Sequence, residues 1–224
     1  MPGRLIPLVN QQTYHVFNRG IDHRPIFTSK KEYQRFLDLI KFYQHLSLPL
    51  RYSYYCRLTE ERKSKVLESL KSQNKKQVHI SSYCLMPNHF HFLLKQVSDN
   101  GISKFMANLQ NSYTRYFNIK NKRVGPLLLD QFKGVRIETD EQLLHVSRYI
   151  HLNPYTGYLV KDLARLQNYP WSSLREFVEN PTEELCEKEI ILSNFSKSNP
   201  YTQFVYDQAD YQRELGMIKH LVLE

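Results

Sequence analysis

Tyr83-Cys84-Leu85-Met86-Pro87-Asn88-His89-Phe90-His91-Phe92-Leu93-Leu94 is the stretch on which the fold turns. Met86-Pro87-Asn88 has turn chemistry, and both sides of it are rich in apolar and aromatic residues. Residues 78–85 and 89–96 are therefore expected as two strands paired back on each other. Along a strand, successive side chains leave on opposite faces. Phe90, Phe92 and Leu94 then belong to a core on one side, while His89 and His91 stand together on the other. Two neutral imidazoles on one face make half a metal site, which needs one further ligand and open positions for substrate or water. An isolated His-x-His is more often a pair of partly exposed histidines with ordinary hydrogen bonds. Its meaning depends on what surrounds it.

Upstream, residues 13–18 (TYHVFN) read as a strand stopping at Arg19-Gly20. Thr28-Ser29 caps a helix whose apolar positions Tyr33, Phe36, Leu37, Ile40 and Tyr43 recur at helical spacing. Residues 48–76 form a charged insertion with an exposed helix anchored by Val66, Leu67 and Leu70, and a solvated face explains its charge as well as DNA does. Downstream, residues 103–119 place Phe105, Met106, Leu109, Tyr113, Tyr116 and Phe117 on one helical face. A basic loop (KNKRVG), a strand near 132–137 and a helix after Thr139 follow. Gln142 completes a capping box for that helix, which is expected to end near Asn153 because Pro154 comes next. Strand, helix, strand, strand, helix, strand is the order of an α+β, ferredoxin-like split βαβ fold. Its antiparallel sheet carries helices on one face, and one more helix lies over the site. Beyond Trp171 the composition turns polar, so the chain divides into a main domain over 1–180 and a C-terminal extension over 181–224.

Thirty-one Lys and Arg oppose 22 Asp and Glu, a net charge of +9 that favours polyanionic partners. Tyrosine and phenylalanine are abundant against a single Trp. Their faces suit single-stranded bases, although most such rings fill cores. Cys56, Cys84 and Cys186 lack the spacing of a zinc site or a disulfide framework, which fits a reducing compartment. With no signal-peptide pattern and no apolar run near 20 residues, a cytoplasmic protein with no membrane association is expected.

A second constellation lies at Arg148-Tyr149-Ile150-His151-Leu152-Asn153-Pro154. Tyr149 and Asn153, four apart, share a helical face, while Leu143, Val146 and Ile150 form a separate docking stripe. A tyrosine with an amide carbonyl one turn away can serve as a nucleophile beside a metal ligand. The proline restricts Asn153 and leaves its direction open. Taken alone, the pair reads more readily as a packed ring and a capping amide.

Taken together, these words resemble a known family. Tyr14-His15-Val16-Phe17-Asn18-Arg19-Gly20, the run YCLMPNHFHFLL over 83–94, Ser112-Tyr113-Thr114-Arg115-Tyr116-Phe117-Asn118, Gly125-Pro126-Leu127 with Phe132-Lys133, YIHLNP over 149–154, Gly157 and Tyr169-Pro170-Trp171-Ser172-Ser173 are similar to single-tyrosine HUH transposases. Within those, the chain resembles the REP-associated tyrosine transposases, over roughly residues 13–175. The resemblance implies a divalent ion, Mg²⁺ or Mn²⁺, held by His89, His91 and Asn153. It implies Tyr149 as a nucleophile forming a 5′-phosphotyrosine, single-stranded or hairpin DNA as partner, and a monomer or homodimer. Tyr113 and Tyr116 become packing or stacking residues. Arg19, Lys133, Arg136 and Arg115 are candidate DNA contacts. Leu128-Leu129-Asp130-Gln131 departs from the pattern where relatives often carry an Arg, and the charged insertion is longer than usual. Two other readings of the same residues are a non-catalytic single-stranded nucleic-acid-binding protein and a hydrolase in which the metal activates water.

Overall fold

The computed structural model describes residues 7–179, 184–196 and 200–214. Strand β1 (Thr13–Arg19) leads through helices α1 (Lys30–Tyr43), α2 (Tyr52–Tyr55) and α3 (Glu60–Gln73) to strands β2 (Val78–Met86) and β3 (His89–Gln96). Helix α4 (Gly101–Lys120), strand β4 (Lys133–Arg136) and helix α5 (Asp140–Thr156) follow, then the short helices α6 (Leu174–Val178), α7 (Glu189–Leu192) and α8 (Tyr201–Tyr206). The sheet runs β2-β3-β1-β4 with every neighbour antiparallel. This is the strand order of the expected ferredoxin-like split sheet.

Alternation along the strands divides the molecule into two cores. Tyr14 and Val16 of β1, and Phe90, Phe92 and Leu94 of β3, pack with Phe36 and Ile40 of α1 and Phe105, Leu109 and Tyr113 of α4. Phe36, Phe90, Phe92 and Phe105 are fully buried, each stabilising the fold by roughly 1.5–3 kcal/mol relative to exposure. On the opposite face Cys84, Met86 and Leu93 meet Leu143, Ile150 and Leu152 of α5. The β2–β3 connection is tighter than expected, since Met86 still pairs with His89. Its backbone is tied down from outside: Pro87 O accepts from the N–H groups of Ile26 and Phe27, and Asn88 O from that of Gly20. A Cβ on Gly20 would lie 2.2 Å from the Arg24 carbonyl oxygen, so the chain needs glycine there.

Helix α1 starts after Ser29, but the capping bonds come from elsewhere. The Glu32 carboxylate accepts from Thr28 N–H and from its hydroxyl, and it also pairs with Lys120 of α4. In α5, Thr139 accepts from Gln142 N–H, and Gln142 in turn accepts from Glu138 N–H. Contrary to the expected stop near Asn153, α5 continues through Pro154 to Thr156. The proline removes one donor, yet burial of Ile150, Leu152 and Tyr155 against the sheet and the C-terminal helices offsets that loss. Gly157 N–H closes the turn on the Asn153 carbonyl. Asn153 is therefore inside a regular helix, and four-residue spacing sets its direction.

The boundary expected at 180/181 falls outside the described residues, as do residues 215–224. The described part of the extension is less polar in effect than its composition suggests. Ile191, Tyr201, Val205 and Ala209 are buried in the α5 core, and Cys186 joins the other. In the charged insertion, α3 buries Leu70 and leaves most of its charged side chains to solvent.

A candidate active site between strand β3 and helix α5

Because Phe90 and Phe92 are committed to the α1/α4 core, His89 and His91 project from the other face, with β1 supplying His15 and Phe17 beside them. The register pairs Phe17 with His91 and Arg19 with His89. Helix α5 crosses this face and brings Tyr149 edge-on to His91, with ring centroids 5.4 Å apart, and to His15 at 5.8 Å. The His89 and His91 rings are 5.0 Å apart. One turn beyond Tyr149, the Asn153 side chain makes hydrogen-bonding contact with both the His89 ring and the Tyr149 phenol. A single chain thus gathers His89, His91, Tyr149 and Asn153 in one place.

Burial sets the protonation states here. It pushes His91 well below the ordinary histidine value, with the like charges of His89 and His15 adding to the effect. It also lowers His89, where Asn153 pulls the other way, and takes His15 down to about 4. At neutral pH all three are neutral imidazoles, the form that ligates metals. The Tyr149 phenol is raised by burial, although the residue as a whole keeps 40% of its surface exposed. Asn153 Nδ2 donates to the Tyr149 carbonyl at 2.8 Å, so Oδ1 is the atom through which Asn153 could coordinate a cation. His89 Nδ1 lies 2.7 Å from Asn88 Oδ1, and His91 Nδ1 lies 2.9 Å from His15 Nε2. Each imidazole is therefore tied at Nδ1 by an outer partner, which leaves Nε2 as the nitrogen able to coordinate a metal. Among the described residues no three His, Cys, Asp or Glu side chains assemble around a metal position. Two imidazoles and one amide oxygen, if completed by water and phosphate oxygens, would suit Mn²⁺, or Mg²⁺ retaining several waters.

The four basic candidates separate. Arg19 is close enough to disfavour charge on His89, and Lys133, paired with Phe17, shares the histidine face. Arg136 pairs with Tyr14 on the other face and donates to Gln12 Oε1. Arg115 belongs to α4, across the sheet, on the wall of a separate cleft. The alternative tyrosines also lie there: Tyr113 is fully buried and donates to the Ile26 carbonyl, and Tyr116 sits beneath the Arg35 guanidinium. Neither reaches the histidine pair.

Two further residues matter that no single stretch of sequence singles out. His15 comes to the histidine face only through the register of β1 on β3, two residues from the Phe17 that pairs with His91. His151 is fully buried. Its Nδ1 is 2.7 Å from Tyr201 Oη and its Nε2 is 2.8 Å from Ser173 Oγ, linking α5 to α8 and, through Ser173, to β2.

Residues 38–153 match the family model described as IS200-like transposase. That span holds both histidines of the pair, Tyr149 and Asn153. No curated protein matches the chain. Among solved structures, a REP-associated tyrosine transposase bound to a REP hairpin superposes with a TM-score of 0.54 at 14% identity, covering 80% of this chain and 86% of that one. At that identity the likeness is one of fold. No helix among the described residues is long and apolar enough to cross a membrane.

Proposed function

The chain belongs to the IS200-like transposase family, and on that footing we propose that it nicks and rejoins single-stranded DNA beside hairpins through a 5′-phosphotyrosine on Tyr149. The observation that carries this reading is the meeting of Tyr149 and Asn153, one turn apart on α5, with the two strand-borne imidazoles. Hairpin DNA as partner is supported by the REP hairpin held by the structural neighbour and by this chain's net charge of +9.

In the proposed reaction the Tyr149 oxygen attacks phosphorus in line. The new O–P bond forms as the bond to the 3′ oxygen breaks, and that oxygen departs as a 3′ hydroxyl. The reverse attack by a 3′ hydroxyl restores the phosphodiester and the free phenol, so rejoining consumes no nucleotide. His89 and His91 through Nε2, and Asn153 through Oδ1, would hold the divalent ion. When bound, it supplies polarisation of the scissile phosphate and charge stabilisation. Burial keeps the Tyr149 phenol protonated in the resting site, and Asn153 lies where it can hold the reactive ring against the phosphate. Arg19 and Lys133, on the same face, would contact backbone phosphates on either side of the scissile one. Residues 1–180 would form the catalytic unit and the remainder an appended support.

The test is incubation with labelled hairpin DNA and Mn²⁺, followed by a denaturing gel. A covalent protein–DNA band is expected, and it should vanish with EDTA, with Tyr149→Phe and with His89→Ala/His91→Ala. Nicking without a protein-linked product would favour a water-activating hydrolase, and DNA binding with neither would favour a non-catalytic binder.

A further inference from the structure

The outer partners of the two site histidines differ in kind. Asn88 Nδ2 donates to the His23 carbonyl, so Asn88 Oδ1 is the acceptor for the Nδ1 proton of His89. That fixes His89 with an open lone pair on Nε2. His91 faces another imidazole instead, with His15 Nε2 at 2.9 Å and the two rings stacked at 25°. Two neutral imidazoles sharing one hydrogen bond have two arrangements. Either His91 donates from Nδ1 and keeps Nε2 open, or His15 donates and the remaining His91 proton occupies Nε2, where it blocks coordination. Resting on the metal-site reading above, we propose that His15 is a positioning residue that accepts the Nδ1 proton of His91 and so holds His91 in the ligating tautomer. Phe17 packs against both rings, at 4.9 Å from His15 and 5.5 Å from His91, and fixes their mutual orientation. A carboxylate is a common outer partner for a ligating histidine. A neutral acceptor performs the same task without placing a negative charge where a phosphodiester must approach.

Nitrogen-15 histidine spectra of the metal-free protein should show His91 protonated on Nδ1 and bare on Nε2. His15→Phe keeps a ring for packing and removes the acceptor. Mn²⁺ affinity, read from the resonance signal of free Mn²⁺, should fall by about 10- to 100-fold, while metal-free hairpin binding is unchanged. His15→Gln, which retains an acceptor, should recover most of that loss. A His91 proton on Nε2, or a His15→Phe protein that binds Mn²⁺ as tightly as the parent, overturns the proposal. His91→Ala separates the two levels: if it abolishes Mn²⁺ binding while His15→Phe binds Mn²⁺ as tightly as the parent, only the role of His15 fails. If it leaves binding intact, the metal reading fails and the role of His15 with it.

Across the sheet, α1, α2 and α4 enclose a cleft of about 1120 Å³ whose wall carries Arg35, Arg51, Arg57, Arg115 and Lys120 and no Asp or Glu. Arg35 is fixed as part of the floor by Cys56 and the rings of Tyr52 and Tyr116, and Lys120 is taken by Glu32. Arg51, Arg57 and Arg115 are exposed at the rim; the Arg57 guanidinium lies 5.7 Å over one face of the Tyr54 ring, and Tyr54 as a whole remains 57% exposed. Guanidinium groups with no carboxylate partner among the described residues, beside an aromatic ring backed by Arg57 on one face only, are suited to a phosphodiester strand whose bases are free to stack. We infer that this cleft binds single-stranded DNA flanking the hairpin, a second contact that depends on the DNA-processing reading but not on the metal. In fluorescence polarisation with a hairpin carrying single-stranded flanks, Arg51→Gln/Arg115→Gln should reduce the slope of log affinity against log salt by about 1.4, two phosphates at roughly 0.7 each. Tyr54→Ala should weaken flanked but not trimmed hairpins. An unchanged slope in a variant whose parent binds DNA removes the cleft from the interaction. A parent that binds no DNA removes the functional reading and the cleft together.

Discussion

Tyr201→Phe deletes one hydroxyl from α8 and tests whether the C-terminal helices hold the tyrosine helix in place. Tyr201 Oη donates to Ser147 Oγ, which donates in turn to the Leu144 carbonyl. His151 Nδ1 is bonded to Tyr201 Oη and its Nε2 to Ser173 Oγ, and the Ser173 hydroxyl also reaches the Tyr83 carbonyl. With phenylalanine at 201 the ring packing against Phe177 and Phe195 survives, but Nδ1 of a fully buried imidazole loses its partner. Leaving one buried polar group unsatisfied costs about 1–3 kcal/mol. For a chain of this size each kcal/mol lowers the melting temperature by about 2–4 °C, so a drop of roughly 2–12 °C is expected. Thermal melts followed by circular dichroism at pH 7.5 read it directly. His151 lies two residues from Tyr149, so the yield of covalent adduct at a temperature near the new midpoint should fall before Mn²⁺ affinity does. An unchanged melting temperature would refute the network as a support and leave α5 held by apolar packing alone.

Stability should also fall with acid in a way traceable to the same residue. His151 is held near 3 by burial, against an ordinary value of 6.5. Between those values the unfolded chain binds the extra proton. Its contribution is complete above about pH 6.5 and is lost as pH drops, at about 1.4 kcal/mol per pH unit. Urea midpoints at pH 8, 6 and 5 should show a shallower pH dependence in His151→Gln than in the parent, and parallel curves would contradict the assignment. Lys120→Met removes the cation facing Glu32, whose side chain is fully buried, and should cost about 3 kcal/mol at neutral pH. Burial alone would raise the Glu32 carboxyl, but Lys120, Thr28 and Asn121 bring it below its ordinary value. That stabilisation is present above the ordinary carboxylate range and lost below it, so the deficit of the variant in denaturant melts should shrink as pH falls through 4. A deficit independent of pH would mean that Lys120 acts through packing.

What could be read before the fold was known follows from the range over which each signal acts. Strand alternation is local, so the opposition of Phe90 and Phe92 to His89 and His91 was legible from four residues. The same rule applied to β4 would have separated Lys133 from Arg136, since positions three apart on a strand cannot share a face. The structure places them on opposite sides. His15 required the β1–β3 register, a non-local quantity that no single segment carries. The termination expected at Asn153 followed a real local preference, overridden because tertiary burial of Ile150, Leu152 and Tyr155 outweighs one missing hydrogen bond. In the extension, Ile191, Tyr201 and Val205 are spread among polar residues. Their common face exists only once α5 is present to receive it.

The placement of Tyr149 follows from these two kinds of constraint acting on one helix. On its sheet side α5 is held by Leu143, Ile150 and Leu152 against Cys84, Met86 and Leu93, contacts that are apolar and tolerate small slides. On its outer side His151 is held by directional bonds to Tyr201 and Ser173, which do not. Apolar packing sets the distance between α5 and β3, and the polar network sets the rotation of α5 about its axis. Tyr149 and Asn153 share one face of the helix, so a rotation carries both away from His89 and His91 together. The buried His151 network is thus the part of the fold best placed to decide whether Tyr149 and Asn153 meet the histidine pair.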